Sequence, residues 1–154
     1  MANTYTQIYI HIVFTVKGRQ NLIRKEWKES LYKYICGIIK ADGQKLIVIN
    51  SMPDHVHILI GLTPDIALSD LVRDIRANSS RFINEQQWIQ GRFQWQEGFG
   101  AFSCSHLQLE NVITYIQNQE KHHARKTFMK EYLRLLDDSE IQYDTKYLFE
   151  PGDE

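Results

Sequence analysis

Residues 45–61, KLIVINSMPDHVHILIG, hold two short apolar runs either side of a polar break. Lys45–Asn50 and His55–Gly61 have strand-like lengths, and Ser51-Met52-Pro53-Asp54 between them is composed of residues that suit a tight turn. The reading is a β-hairpin. In its second strand alternation sends Val56, Ile58 and Ile60 to one face, the side of the expected core. His55 and His57 go to the other, with their Cα atoms about 6.6 to 6.8 Å apart.

Upstream of the hairpin, residues 26–41 carry Trp27, Leu31, Ile35, Ile38 and Ile39 at helical spacing, and Asp42-Gly43 offers a helix stop. Before that, YTQIYIHIVFTV at 5–16 alternates cleanly, with Ile8, Ile10, Ile12, Phe14 and Val16 on one face. Period two predicts a strand whose apolar side meets the helices. Downstream, Thr63-Pro64-Asp65 opens a second helix with Leu68, Leu71, Val72, Ile75, Phe82 and Ile83 inward. Its other side carries Arg73, Arg76, Ser80 and Arg81. Two strands are expected at 92–97 and 99–104, split by Gly98.

Ser105 and Gln108 form a potential capping box for a third helix over 107–121. A short fourth helix is expected over 128–136, with Phe128, Tyr132 and Leu135 on one side. The order strand–helix–strand–strand–helix–strand predicts an α+β fold: an antiparallel sheet with helices packed on one face, the ferredoxin-like or split βαβ plan. Residues 1–154 read as one domain, with a core at about 5–136 and a docked tail at 137–154.

The chain has 154 residues, 43% hydrophobic and 24% charged, the profile of an ordinary globular domain rather than a disordered one. Formal net charge is −1, so bulk charge supplies no argument for a nucleic-acid partner, and any positive field must be local. Cys36 and Cys104 have neither metal spacing nor a secretory context and read as reduced packing residues. No apolar run reaches membrane-spanning length, so the expectation is a cytoplasmic protein without a membrane partner.

Two constellations carry chemistry. The His55/His57 pair fits either a metal site or plain polar surface, since neutral imidazoles on a rigid strand are good ligands and His-x-His also arises by chance. Asp54 reads as a turn residue able to orient a histidine. In YIQNQEKHH at 115–123, Tyr115, Gln119 and His122 lie together, off the stripe of Leu109, Val112, Ile113 and Ile116. A phenol with a pKa near 10 becomes a nucleophile at neutral pH only beside a base or a cation, and Gln119 offers an amide oxygen to such a cation. The other reading packs the Tyr115 ring at the helix flank.

Taken together, MPDHVHILI at 52–60, WQEGFGAFS at 95–103 and YIQNQEKHH at 115–123, with the opening strand, resemble the HUH single-tyrosine transposases of the insertion sequence 200/605 type. The resemblance runs from about Tyr5 to Phe149. It implies that His55 and His57 bind a divalent metal, Mg2+ or Mn2+, with Gln119 as third ligand, and that Tyr115 attacks a DNA phosphate. The product would be a 5'-phosphotyrosine link and a free 3'-hydroxyl. The resemblance further implies single-stranded DNA with hairpins at the element's ends as partner, and a homodimer with active sites shared between subunits. A donor set of two imidazoles and an amide would leave the cation's charge wholly for the phosphate.

Arg73, Arg76, Lys121, His122 and Arg125 are the candidate DNA contacts, each balanced against a plain solvated face. Trp95, Phe99 and Phe102 fit either base stacking or core packing. Gly98 and Gly100 are read as a pivot for the tyrosine helix or as an ordinary turn. Two other functions share this sequence: a domesticated palindrome-processing nuclease, and a non-catalytic hairpin-binding protein.

Overall fold

Alternation in the first strand sets the architecture. The computed structural model describes residues 3–123, 127–144 and 148, with only the backbone of His122 and His123. Among these, β1 (Tyr9–Thr15), β2 (Lys45–Met52), β3 (His55–Gly61) and β4 (Gly100–Cys104) form an antiparallel sheet in the order β2-β3-β1-β4. The β2–β3 hairpin lies where the sequence puts it. The helices α1 (Lys28–Ala41) and α2 (Leu68–Gln86) complete the split βαβ plan.

The α1/α2 layer covers one sheet face. Ile12, Phe14, Val56, Ile58 and Ile60 pack there on Leu31, Ile35, Ile39, Leu71, Val72 and Ile75, all fully buried. Each such aliphatic side chain contributes roughly 1.5–3 kcal/mol through removal from water. The opposite face acquires its own cover from α3 (Leu109–Gln117), α4 (Gln119–His123) and α5 (Phe128–Asp138). There Val13 and Phe102 meet Phe128, Tyr132 and Leu136 in a second, smaller apolar cluster, with Leu148 packed against it. A helix layer thus stands on each side of the sheet.

Three segments differ from the periodicity. Residues 92–97 do not form a strand: Trp95 makes an isolated bridge to Val16, and both backbone polar groups of Phe93 bond the Asn84 side chain at 2.7 and 3.0 Å. Side-chain capture removes the groups a ladder would need. Residues 63–67 precede the second helix rather than opening it. Thr63 is held instead by Gln44, whose Oε1 accepts from its backbone N–H at 2.7 Å.

The third expected helix is also interrupted. The capping box of Ser105 and Gln108 is present, on a 3-10 turn at His106–Gln108. The helix then breaks at Asn118, where Asn50 of β2 donates its amide to the carbonyls of Ile116 (2.9 Å) and Gln117 (3.5 Å). The break re-aims Gln119, which starts α4 fully buried. Trp95 and Phe99 pack against the main core and Phe102 lies in the second, the packing alternative for all three. Both cysteines are free. No helix among the described residues is long and apolar enough to cross a membrane.

Candidate functional site

The sheet face turned away from α1 and α2 carries the chemistry. His55 and His57 project from it with no solvent exposure, beside His11 and Thr15 of β1. Their ring orientations are fixed from behind. His55 Nδ1 bonds Asp54 Oδ1 at 2.7 Å, and His57 Nδ1 bonds His11 Nε2 at 2.8 Å. Burial alone would raise the Asp54 carboxyl, but the hydrogen bond and charge of His55, with Arg19 3.4 Å away, outweigh it and hold the pKa below the usual range. Burial, helped by His57, pushes His11 down to about 3 despite the opposing pull of Glu131, so at neutral pH His11 is uncharged and shares one proton with His57 Nδ1 in their hydrogen bond. Both Nε2 atoms are thereby turned toward the helices.

Facing them is Gln119, whose Oε1 stands 3.5 Å from His55 Nε2 while its amide donates to the Tyr115 carbonyl at 3.4 Å. Glu131 of α5 enters the same space: its Oε1 is 2.8 Å from His57 Nε2 and 4.0 Å from His55 Nε2, and it is 5% exposed. The ligand atoms of His55, His57 and Glu131 all lie within 4.8 Å of one another. Donors around one cation at a bonding distance of about 2.1 Å stand roughly 3 Å apart when adjacent and about 4.2 Å apart when opposite. The donor set is compatible with a single divalent ion, which His55, His57 and Glu131 would hold with Gln119 alongside. The neutral set expected from sequence gains a carboxylate, which would offset one unit of a bound ion's charge.

Tyr115 is half-buried rather than sealed in the interior. Its ring meets His57 and His11 edge-on, with centroids 5.9 and 6.2 Å apart. Burial, then the Glu131 charge and the hydrogen bond to Glu131, raise its pKa well above that of an ordinary phenol, against smaller opposing effects of Gln119 and Arg134. The phenol is therefore protonated at neutral pH. Within one chain, then, the structure brings together Tyr115, His55, His57 and Gln119.

The candidate DNA contacts are scattered. Arg73 is exposed and paired with Asp70 (3.1 Å) and Asp74 (3.3 Å). Arg76 donates to the carbonyls of Gln96 and Gly98, tying down the segment before β4. Both line an open groove of about 1030 Å3 on the α2 side, away from Tyr115. Lys121 is exposed on α4, whereas the His122 side chain and all of Arg125 lie outside the described residues. Gly98 has φ +83°, a turn conformation, whereas Gly100 sits in β4 against Tyr132.

Sequence reasoning passed over Glu131 and His11. A signal existed for the first: Glu131 falls inside the apolar stripe of Phe128, Tyr132 and Leu135, where a solvated acid does not belong. For His11 the signal was only a histidine on the polar face of its strand.

Residues 4–119 match the family model described as Transposase IS200 like, a span that ends on Gln119. The chain belongs to this transposase family. A curated relative, the ISDra2 transposase TnpA of Deinococcus radiodurans, is 27% identical over 120 residues, covering 73% of this chain and 84% of its own. A solved structure of a protein assigned as a transposase from Deinococcus radiodurans R1 superposes with a TM-score of 0.62 at 23% identity, over 76% of this chain and 94% of that one. A REP-associated tyrosine transposase bound to a REP hairpin gives the same TM-score, 0.62, at 15% identity over 99% of this chain and 95% of the other. Membership makes the chain a DNA strand-transfer enzyme. Glu131 lies beyond the matched span.

Proposed function

We propose that the chain excises and inserts a mobile element as single-stranded DNA, cutting and rejoining strands through Tyr115 with a divalent metal held by His55, His57 and Gln119, joined by Glu131. The observation that carries this reading is the meeting of the Tyr115 ring with His57, 5.9 Å between centroids, beside the Gln119 oxygen, all in one subunit. The Tyr115 oxygen bonds to phosphorus as the bond to the 3'-oxygen breaks; the phenol proton passes to solvent and the departing 3'-oxygen takes one up, leaving as a 3'-hydroxyl. The phosphodiester energy is kept in the 5'-phosphotyrosine, so a second 3'-hydroxyl reverses the step on a new strand without ATP. A bound cation neutralises charge on the scissile phosphate. Imidazole nitrogens favour Mn2+ and the oxygens of Gln119 and Glu131 favour Mg2+, and either serves.

Hairpins at the element's ends are the proposed recognition feature, in keeping with the hairpin held by one structural neighbour. A cytoplasmic homodimer is the proposed assembly, with hairpin contacts drawn from Arg73, Arg76, Lys121, His122 and Arg125. A domesticated nuclease acting on genomic palindromes would use the same residues, and the repeats flanking the gene distinguish it.

The test is incubation of labelled single strands from the DNA flanking this gene with Mg2+ or Mn2+, followed by a denaturing gel. A covalent protein–DNA species is expected with the native protein. Tyr115→Phe is expected to abolish it and keep DNA binding. A hairpin-binding protein without catalysis gives no such species, and a hydrolase using water cleaves without one; either outcome removes the reading.

A further inference from the structure

Between α3 and α5, above β4, lies a cavity of about 510 Å3 whose walls include Asn111, Tyr115, Glu131, Arg134 and Asp138. That volume falls in the range of small-ligand sites and admits a nucleotide unit. Glu131 and Arg134 stand three residues apart on α5 and so share a side of that helix. Among the described lining residues Arg134 supplies the one lysine or arginine, against the two carboxylates of Glu131 and Asp138. A phosphodiester entering toward Tyr115 therefore passes two acids and needs a cation on this wall.

Arg134 is placed to be that cation. Its Nε lies 3.6 Å from Asp138 Oδ2, and the two side chains are 67% and 69% exposed. An exposed pair at this spacing is weak, so the guanidinium is easily transferred to a phosphate, which can accept two parallel N–H bonds. Its charge already reaches the Tyr115 hydroxyl, where it opposes the effect of Glu131. Like Glu131, it lies beyond the span matched by the family model.

We propose that Arg134 is a substrate-binding catalytic residue: it grips a non-bridging oxygen of the strand in the α3–α5 cavity and presents the phosphorus to Tyr115. This inference rests on the reading of Tyr115 as nucleophile. The α5 helix then contributes both wall charges, Glu131 toward the cation and Arg134 toward the phosphate.

The test uses the full chain. Binding of a fluorescent oligothymidylate is measured in EDTA over a salt series, and adduct formation is followed on the flanking single strand with Mn2+. Arg134→Ala is expected to reduce the slope of log affinity against log salt by about 0.7, the share of one phosphate contact on a single strand. Its adduct rate is expected to fall roughly tenfold or more. Arg134→Lys restores the slope but only part of the rate, since lysine lacks the planar fork. Asp138→Asn releases the arginine and tightens binding, and Lys40→Ala, on the far helix layer, keeps the native slope.

A purely structural role for the pair predicts that Arg134→Ala and Asp138→Asn lower Tm alike and leave the salt slope untouched. That result overturns the proposal while the native adduct still forms. A native protein that neither binds the strand nor forms the adduct overturns the Tyr115 reading and this inference together.

Discussion

Ile58 and His57 are neighbours in β3, both with no solvent exposure, yet they sit in opposite environments. Ile58 meets the aliphatic side chains of α1 and α2, whereas His57 meets His11, Tyr115 and Glu131. One face of the sheet uses burial to remove hydrocarbon from water. On the other, beside a smaller apolar cluster, burial strips water from ionisable groups and leaves them dependent on one another. The same strand geometry thus yields stability on one side and reactivity on the other, because alternation assigns residues to faces without regard to what covers them.

The largest test of this contrast is on the aliphatic face. Ile58→Ala is expected to lower the free energy of unfolding by about 2–5 kcal/mol, read by chemical denaturation, through lost transfer energy plus a cavity. A folded Ile58→Ala protein should still gain Tm when Mn2+ is added. His57→Ala should lose that gain, because a ligand stabilises only a state that binds it. Equal metal responses in the two variants would break the division between the faces.

A smaller effect is expected where the chemical face is assembled. A Cβ on Gly100 would stand 2.6 Å from the Tyr132 hydroxyl and 2.8 Å from its ring, so the glycine lets α5 lie close to β4. Gly100→Ala should cost about 1–3 kcal/mol through overpacking. By lifting Glu131 it should weaken the Mn2+ response by more than its stability cost alone explains. Thermal melts with and without the ion measure both quantities.

The smallest effect at neutral pH concerns His11. Its folded pKa, near 3, lies below the ordinary imidazole value of 6.5, so the unfolded chain takes up the proton first as pH falls. Stability from this group is complete above pH 6.5 and is lost progressively as pH falls toward 3. His11→Gln, whose amide can donate to or accept from His57 Nδ1, should flatten the stability profile over that window and change little at pH 8. An unchanged acid profile would show that His11 is not held neutral by its surroundings.

Local spacing alone settled the faces of β1 and β3, the hairpin at 45–61, the pairing of His55 with His57 on one side, and the proximity of Tyr115 to Gln119. These are properties of neighbours two or four positions apart, which a strand or a helix fixes before the chain is packed. The tertiary structure decided the rest. His11 reaches His57 across 46 positions because β1 and β3 pair in one particular register, and Glu131 arrives because α5 folds back over β4. The helix break at Asn118 depends on an amide from Asn50, a strand away in space and far away in sequence. Contacts of this kind follow from which surfaces meet, and no periodicity within a single element encodes that.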